Sequence, residues 1–185
     1  AAVRQDMSVA AIYDKSHLVP FGEYIPFQKI LPLTPFAHFE GFTQGSGPRT
    51  IDLPGVPAFS PLVCYEIVFP GAVIDREGPR PAFILNVTND AWYGDSPGPR
   101  QHLMQARFRA IEEGIPVVRS ANTGISSLID AYGRPLLTIA LNSQGAENVA
   151  LPGALSSPPL YTRTGDWIFL AVALILILPS RRNKT

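Results

Sequence analysis

Val56-Pro57-Ala58-Phe59-Ser60-Pro61-Leu62-Val63-Cys64-Tyr65-Glu66 and Ala82-Phe83-Ile84-Leu85-Asn86-Val87-Thr88-Asn89-Asp90 are the two stretches that decide the fold. Each is an apolar run of strand length that stops abruptly in polar residues, the pattern of a buried strand. Between them, residues 70–76 read as a short helix. After the second, residues 99–113 carry Met104, Phe108 and Ile111 at helical spacing, with Ile115 continuing the same face and Gly114-Ile115-Pro116 closing the helix. Strand, helix, strand, polar turn and helix make an α/β rhythm. Residues 49–53 precede the first stretch as a strand across the Pro54-Gly55 turn. Residues 116–120 and 124–130 follow the helix as strands, and Ala131-Tyr132-Gly133-Arg134 turns the chain into residues 135–140. The sheet these make is mixed, and residues 7–13 add an early strand expected to be buried.

The 185 residues support about one domain. Lysine and arginine balance aspartate and glutamate at 15 each, so no overall field favours nucleic acid. The 19 prolines imply many turns and edges and argue against a helical bundle. No cluster has metal-ligand spacing and no glycine-rich phosphate loop is present, so neither a metal nor a nucleotide cofactor is expected.

Cys64 is the only cysteine, which excludes an intramolecular disulfide and a cysteine-rich metal site. A lone thiol often packs as a small hydrophobe. Here it ends an apolar run with Glu66 two residues on, a setting that suits a nucleophile. Lys15-Ser16-His17-Leu18-Val19-Pro20-Phe21-Gly22-Glu23 sets a lysine at the end of a strand and a glutamate in a turn shaped by Pro20 and Gly22. An ammonium beside a thiol favours the thiolate and stabilises the oxyanion of a tetrahedral intermediate. Lys15 is the candidate for both roles, against the plainer reading of a solvated charge at a strand end. Glu23 would orient that ammonium, or simply cap the turn. His17 suggests a Cys-His pair but is better read as a packing residue.

Residues 17–47 hold repeated prolines and no sustained period, a long folded loop. Ile30, Leu31, Leu33, Phe36, Phe39 and Phe42 make it apolar enough to pack or to meet lipid. Beyond Gly153 the composition changes again, and residues 167–178 are apolar throughout. That run is shorter than the roughly 20 residues that cross a bilayer comfortably. Its flanks still favour a membrane helix over a core helix: Asp166 caps the start, Trp167 suits an interface, and Arg181, Arg182 and Lys184 form a basic cluster expected on the cytoplasmic side. Residues 1–160 then form one domain, and residues 161–185 a transmembrane helix with a short basic tail.

The 15–23 block, Cys64-Tyr65-Glu66, Asn86-Val87-Thr88-Asn89-Asp90-Ala91-Trp92-Tyr93-Gly94, Gln101-His102 and Arg119-Ser120-Ala121-Asn122-Thr123-Gly124 together resemble the apolipoprotein N-acyltransferases, members of the nitrilase (carbon–nitrogen hydrolase) superfamily. The resemblance implies a nitrilase-like α-β-β-α sandwich, of which this chain would be the incomplete, C-terminal portion, followed by a C-terminal membrane helix. It implies a Glu-Lys-Cys triad, with Lys15 and Cys64 matching two members. The third, a general-base glutamate, lies upstream of the lysine in the family. No acidic residue here precedes Asp6, which is no credible substitute. Glu23, Glu66 and Tyr65 match family positions near the reacting centre, and Trp92 and Tyr93 either line an acyl channel or pack.

The implied function is acyl transfer without a cofactor, from a phospholipid through a Cys64 thioester to the amino group of a diacylglyceryl-cysteine apolipoprotein. The implied setting is the bacterial inner membrane, with a monomeric catalytic domain on the periplasmic side and the apolar loop at the bilayer surface. Two rivals remain open at this point: a soluble nitrilase-type amidase with water as acceptor, and an inactive truncated remnant lacking the base.

Overall fold

The computed structural model describes residues 1–27 and 41–177. A short antiparallel pair, β1 (Ala2–Val3) and β2 (Val9–Ala11), precedes a six-stranded sheet. That sheet runs in the order β3 (Ile51–Leu53), β4 (Val56–Val63), β5 (Phe83–Asn89), β6 (Val117–Asn122), β7 (Ser126–Ile129), β8 (Pro135–Ile139). The central neighbours β4, β5 and β6 are parallel, and the outer pairings are antiparallel. The mixed α/β sheet is thus the one expected from the apolar runs.

Helix α1 (Gly98–Glu113) crosses between β5 and β6 and covers one face of the sheet. Beneath it lies a core of Leu62, Ile67, Val73, Ile84, Ala106, Ala110, Ile115, Val117 and Ile129. The other face carries a smaller cluster of Ile51, Phe59 and Phe83, joined by Ala11 and Tyr13 from the segment around β2. Gly114 ends α1 in the left-handed conformation, and its amide closes on the Ala110 carbonyl.

Three expectations need correction. The helix face marked by Met104, Phe108 and Ile111 points away from the sheet, and these residues are 39%, 45% and 46% exposed. The opposite face is buried through His102, Ala106, Arg109, Ala110 and Glu113. Two alanines let the backbone lie close to the strands, while the polar groups reach fixed partners: Arg109 donates to the Val68 carbonyl at 2.7 Å, and Glu113 pairs with Arg76 at 2.8 Å. Apolar periodicity picked the wrong side because the buried side is held by small residues and anchored charges.

The helix expected at residues 70–76 is absent. A 3₁₀ turn (Cys64–Val68) forms directly after β4 instead, and Pro70-Gly71 follows it, where Gly71 has positive φ. The early strand is shorter than residues 7–13 and only half covered, with Val9 54% and Ile12 55% exposed.

After β8 the chain runs without regular structure to α2 (Leu160–Thr164), pinned along the way by Arg80, which donates to the Leu155 and Glu113 carbonyls. The Thr162 hydroxyl donates to the Glu112 carbonyl at 2.6 Å, docking α2 on the end of α1. Helix α3 (Trp167–Ile177) follows and buries none of its residues. Its 11 residues reach about 16 Å at 1.5 Å each, and no helix among the described residues is long and apolar enough to cross a membrane. The basic cluster at Arg181, Arg182 and Lys184, and Ile30, Leu31, Leu33, Phe36 and Phe39 of the apolar loop, lie outside the described residues.

The two faces of α1 predict opposite responses. Ala106→Leu should destabilise by about 1–3 kcal/mol through overpacking, whereas Phe108→Ser should stay within about 1 kcal/mol of the parent. Chemical denaturation of both variants checks which face the sheet holds.

Candidate active site

Cys64 stands where β4 ends, at the carboxyl edge of the parallel strands. Its φ is +55°, a left-handed conformation rarely taken by a residue with a Cβ. Such a turn lifts the side chain out of the strand's alternation, at a cost of order 1 kcal/mol. The residue is half-buried and its thiol is in no disulfide.

Lys15 and Glu23 form a bidentate pair, with Nζ 2.7 Å from Oε1 and 2.6 Å from Oε2. Their side chains are only 10% and 23% exposed, so solvent screens the contact little. The Glu23 carboxylate also accepts the Val19 amide at 2.8 Å, which closes the turn containing Pro20 and Gly22. The Glu23 carbonyl in turn accepts the Phe42 amide at 2.9 Å, tying the far end of the long loop to the same turn.

Glu66 joins the lysine segment to the cysteine turn. It is 1% exposed, and Oε1 accepts from the Tyr13 hydroxyl at 2.9 Å, the Ser16 amide and hydroxyl at 2.7 Å each, and the His17 amide at 3.2 Å. Oε2 accepts the Val63 amide at 2.7 Å. The residue after Lys15 and the residue before Cys64 therefore bind one carboxylate. Burial, with the Glu66 charge adding, pushes the Tyr13 hydroxyl well above the usual phenol range, so it remains a donor.

The remaining expected residues surround this arrangement. Tyr65 packs edge-on against Phe69 with ring centres 5.6 Å apart. His17 stacks on the same Phe69 ring, with centres 4.4 Å apart and planes 25° apart, which is a packing role. A second 3₁₀ turn (Asp90–Tyr93) ends β5 and carries Trp92, 87% exposed, and Tyr93. Tyr93 sits 5.7 Å from the His102 ring, and burial followed by the charges of Asp90 and Cys64 raises its hydroxyl pKa. Asp6 binds the Ser8 amide and hydroxyl in an exposed local turn, away from any such role.

Sequence reasoning missed the buried polar group behind Cys64. Asn86, Thr88, Asp90, His102 and Arg119 are each under 10% exposed. Asp90 pairs with Arg119 at 2.7 Å and with His102 at 2.9 Å. Burial alone raises its carboxyl, but the His102 hydrogen bond and the Arg119 charge outweigh it and hold the pKa below the ordinary value. Gly124 makes room for this carboxylate, since a Cβ there would overlap it. The available signal was an asparagine and an arginine inside otherwise apolar strands. A separate cavity of about 800 Å³, lined by residues 9–14 and 49–51, does not include Cys64 in its wall.

A thiol presented from a left-handed turn at the ends of parallel strands, with a Lys–Glu pair tied to it, defines an α/β domain built around a cysteine. The chain belongs to the carbon–nitrogen hydrolase family, whose profile matches residues 1–152. It is 46% identical, over 98% of its length, to the apolipoprotein N-acyltransferase of Bradyrhizobium diazoefficiens, covering 34% of that protein. With the apolipoprotein N-acyltransferase of Rhodopseudomonas palustris it shares 40% identity over 98% of its length and 35% of that protein's. The chain thus spans about a third of the length of these curated relatives.

Among solved structures it is similar to a carbon–nitrogen hydrolase from Helicobacter pylori, with a TM-score of 0.56 and 19% identity over 77% of this chain and 52% of that one. A TM-score of 0.52 and 21% identity, over 77% and 52%, relate it to an amidase from Nesterenkonia sp. AN1 that carries an acrylamide adduct at its active-site cysteine. At these identities the likeness is one of fold.

The backbone at Cys64 gives a direct check. Cys64→Gly should be more stable than Cys64→Ala by about 1 kcal/mol, because only alanine retains the left-handed cost. Equal stabilities by thermal or chemical denaturation would contradict a strained turn.

Proposed function

We propose that this chain carries the nucleophile of a membrane-associated N-acyltransferase, with Cys64 accepting a fatty acyl group from a phospholipid and passing it to the N-terminal amine of a diacylglyceryl-cysteine apolipoprotein. The observation that carries this reading is the sharing of one buried carboxylate, Glu66, by the segments that hold Cys64 and Lys15. The similarity to the apolipoprotein N-acyltransferases over nearly the whole chain supplies the substrate class.

In the first step the thiolate sulfur attacks the ester carbonyl carbon. A C–S bond forms, the C–O bond breaks, and the lysophospholipid alkoxide leaves with the proton originally on the thiol. In the second step the acceptor amine attacks the thioester, a C–N bond replaces the C–S bond, and the amine's proton returns to sulfur. Lys15 stabilises the oxyanion in both steps. Glu23 orients its ammonium by two charge-assisted contacts. Glu66 has both oxygens occupied by donors, so its role is to position and not to move protons. The general base is the glutamate that the family carries upstream of its lysine.

Tyr65, Trp92 and Tyr93 frame the entry to the thiol, and the exposed Trp92 is the one best presented to an acyl chain. Phe27 and Phe42 flank the long apolar loop, at 71% and 62% exposed, and support a role at a lipid surface. Residues 1–160 form the C-terminal part of the catalytic domain. The apolar helix beginning at Trp167 anchors it to the inner membrane, with the domain on the periplasmic side.

The test is intact-mass analysis of the full-length protein incubated with a diacyl phospholipid. It should gain one acyl mass on Cys64 that is cleaved by neutral hydroxylamine and absent in Cys64→Ala. Turnover of small amides with no acyl adduct from phospholipid would favour an amidase and overturn the reading.

A further inference from the structure

Behind the cysteine turn, a line of buried hydrogen bonds runs from helix α1 across two strands to the backbone of Cys64 itself. Asn86 lies on β5 and is fully buried; its Nδ2 donates to the Cys64 carbonyl at 3.3 Å and to the Leu62 carbonyl at 3.5 Å. Its Oδ1 accepts from Nη1 of Arg119, the residue directly opposite it on β6. Arg119 is held in turn by the Ile125 carbonyl, 3.2 Å from Nε, and by Asp90, 2.7 Å from Nη2. The second oxygen of Asp90 accepts the Thr88 hydroxyl at 3.0 Å and faces His102 Nδ1 at 2.9 Å.

This chain of contacts fixes which way the Asn86 amide points. A guanidinium has donors only, so the Asn86 oxygen must face Arg119 and its NH₂ must face the Cys64 carbonyl. A lysine in place of Arg119 offers one point charge and cannot hold Asn86, Asp90 and the Ile125 carbonyl at once. The Cys64 carbonyl is thereby drawn inward. Because the peptide is planar and trans, the Tyr65 N–H then points the opposite way, outward from the buried group.

We infer that Asp90, Arg119 and Asn86 are positioning residues for Cys64, setting the orientation of the Cys64–Tyr65 peptide so that its outward N–H meets the oxyanion formed when the thiol is acylated. This rests on the acyl-enzyme reading of Cys64. The relay makes no hydrogen bond to the thiol and reaches Cys64 through its carbonyl. It also accounts for three features of the sequence at once: an asparagine and an arginine in register where apolar residues would otherwise fill the sheet, and a glycine at 124, between β6 and β7, that leaves space for the Asp90 carboxylate.

Asn86→Asp separates positioning from mere structural support. An aspartate keeps the shape and the contact with Arg119, and so preserves the ion network, yet an ionised carboxylate cannot donate to the Cys64 carbonyl. Single-turnover acyl loading of Cys64 from a diacyl phospholipid, followed by intact mass in the full-length protein, should slow about tenfold or more. The half-saturating phospholipid concentration should stay within about twofold of the parent's. Arg119→Lys should slow loading similarly, and carries the test if Asn86→Asp does not fold. Parent-like loading per folded molecule, even with a lowered thermal midpoint, would overturn the inference while leaving the acyl-enzyme reading intact. A parent protein that never loads Cys64 would overturn both.

Discussion

The buried carboxylate of Glu66 is the contact on which the site depends. Its two oxygens accept from Tyr13, Ser16, His17 and Val63, donors supplied by segments about fifty residues apart in sequence. Removing a charge from water is costly, and this one is compensated only while its donors stay in place. The early segment bearing Lys15 is otherwise lightly held: β1 and β2 form a separate two-stranded sheet, and Val3 and Val9 on them are exposed. One carboxylate thus turns a loosely covered segment into a wall of the cysteine site.

The sheet face beneath α1 is divided along its length. At one end Ile84 and Val117, paired across β5 and β6, pack with Ala106 and Ala110. Two residues further along the same alternation, Asn86 and Arg119 take those places, and Asp90 and His102 complete the polar end. The change from apolar to polar falls at the carboxyl ends of the parallel strands, where the crevice of an open α/β sheet receives its ligand. Helix α1 spans both regions, packing through alanines on the apolar half and contributing His102 to the polar half. Arg109 extends that bracing to the Val68 carbonyl, at the end of the 3₁₀ turn that starts with Cys64.

Much of this was legible in the amino-acid order. The strands were marked by apolar runs ending in polar residues, and Cys64 by its place at one such end. Lys15 and Glu23 were legible because a short turn held by Pro20 and Gly22 leaves two opposite charges close together. What the order concealed depends on register and depth. Nothing local says that Asn86 and Arg119 stand opposite each other, since that follows from how β5 and β6 align. Helix α1 misled for a related reason: a strong apolar stripe at Met104, Phe108 and Ile111 drew the eye, while the side that meets the sheet needed small residues and anchored charges. The role of Glu66 was visible only in part, because its donors at Tyr13, Ser16 and His17 come from a distant segment.

The most direct measurement of the central claim is amide hydrogen exchange at Ser16, His17 and Val63 in the parent and in Glu66→Gln. All three amides end on the Glu66 carboxylate, and a neutral amide side chain has one acceptor oxygen where the carboxylate has two. If Glu66 is the tie between the lysine segment and the cysteine turn, exchange should accelerate at Val63 or at Ser16 and His17, while amides of the β5–β6 pair keep their protection. Unchanged protection at all three would contradict the account.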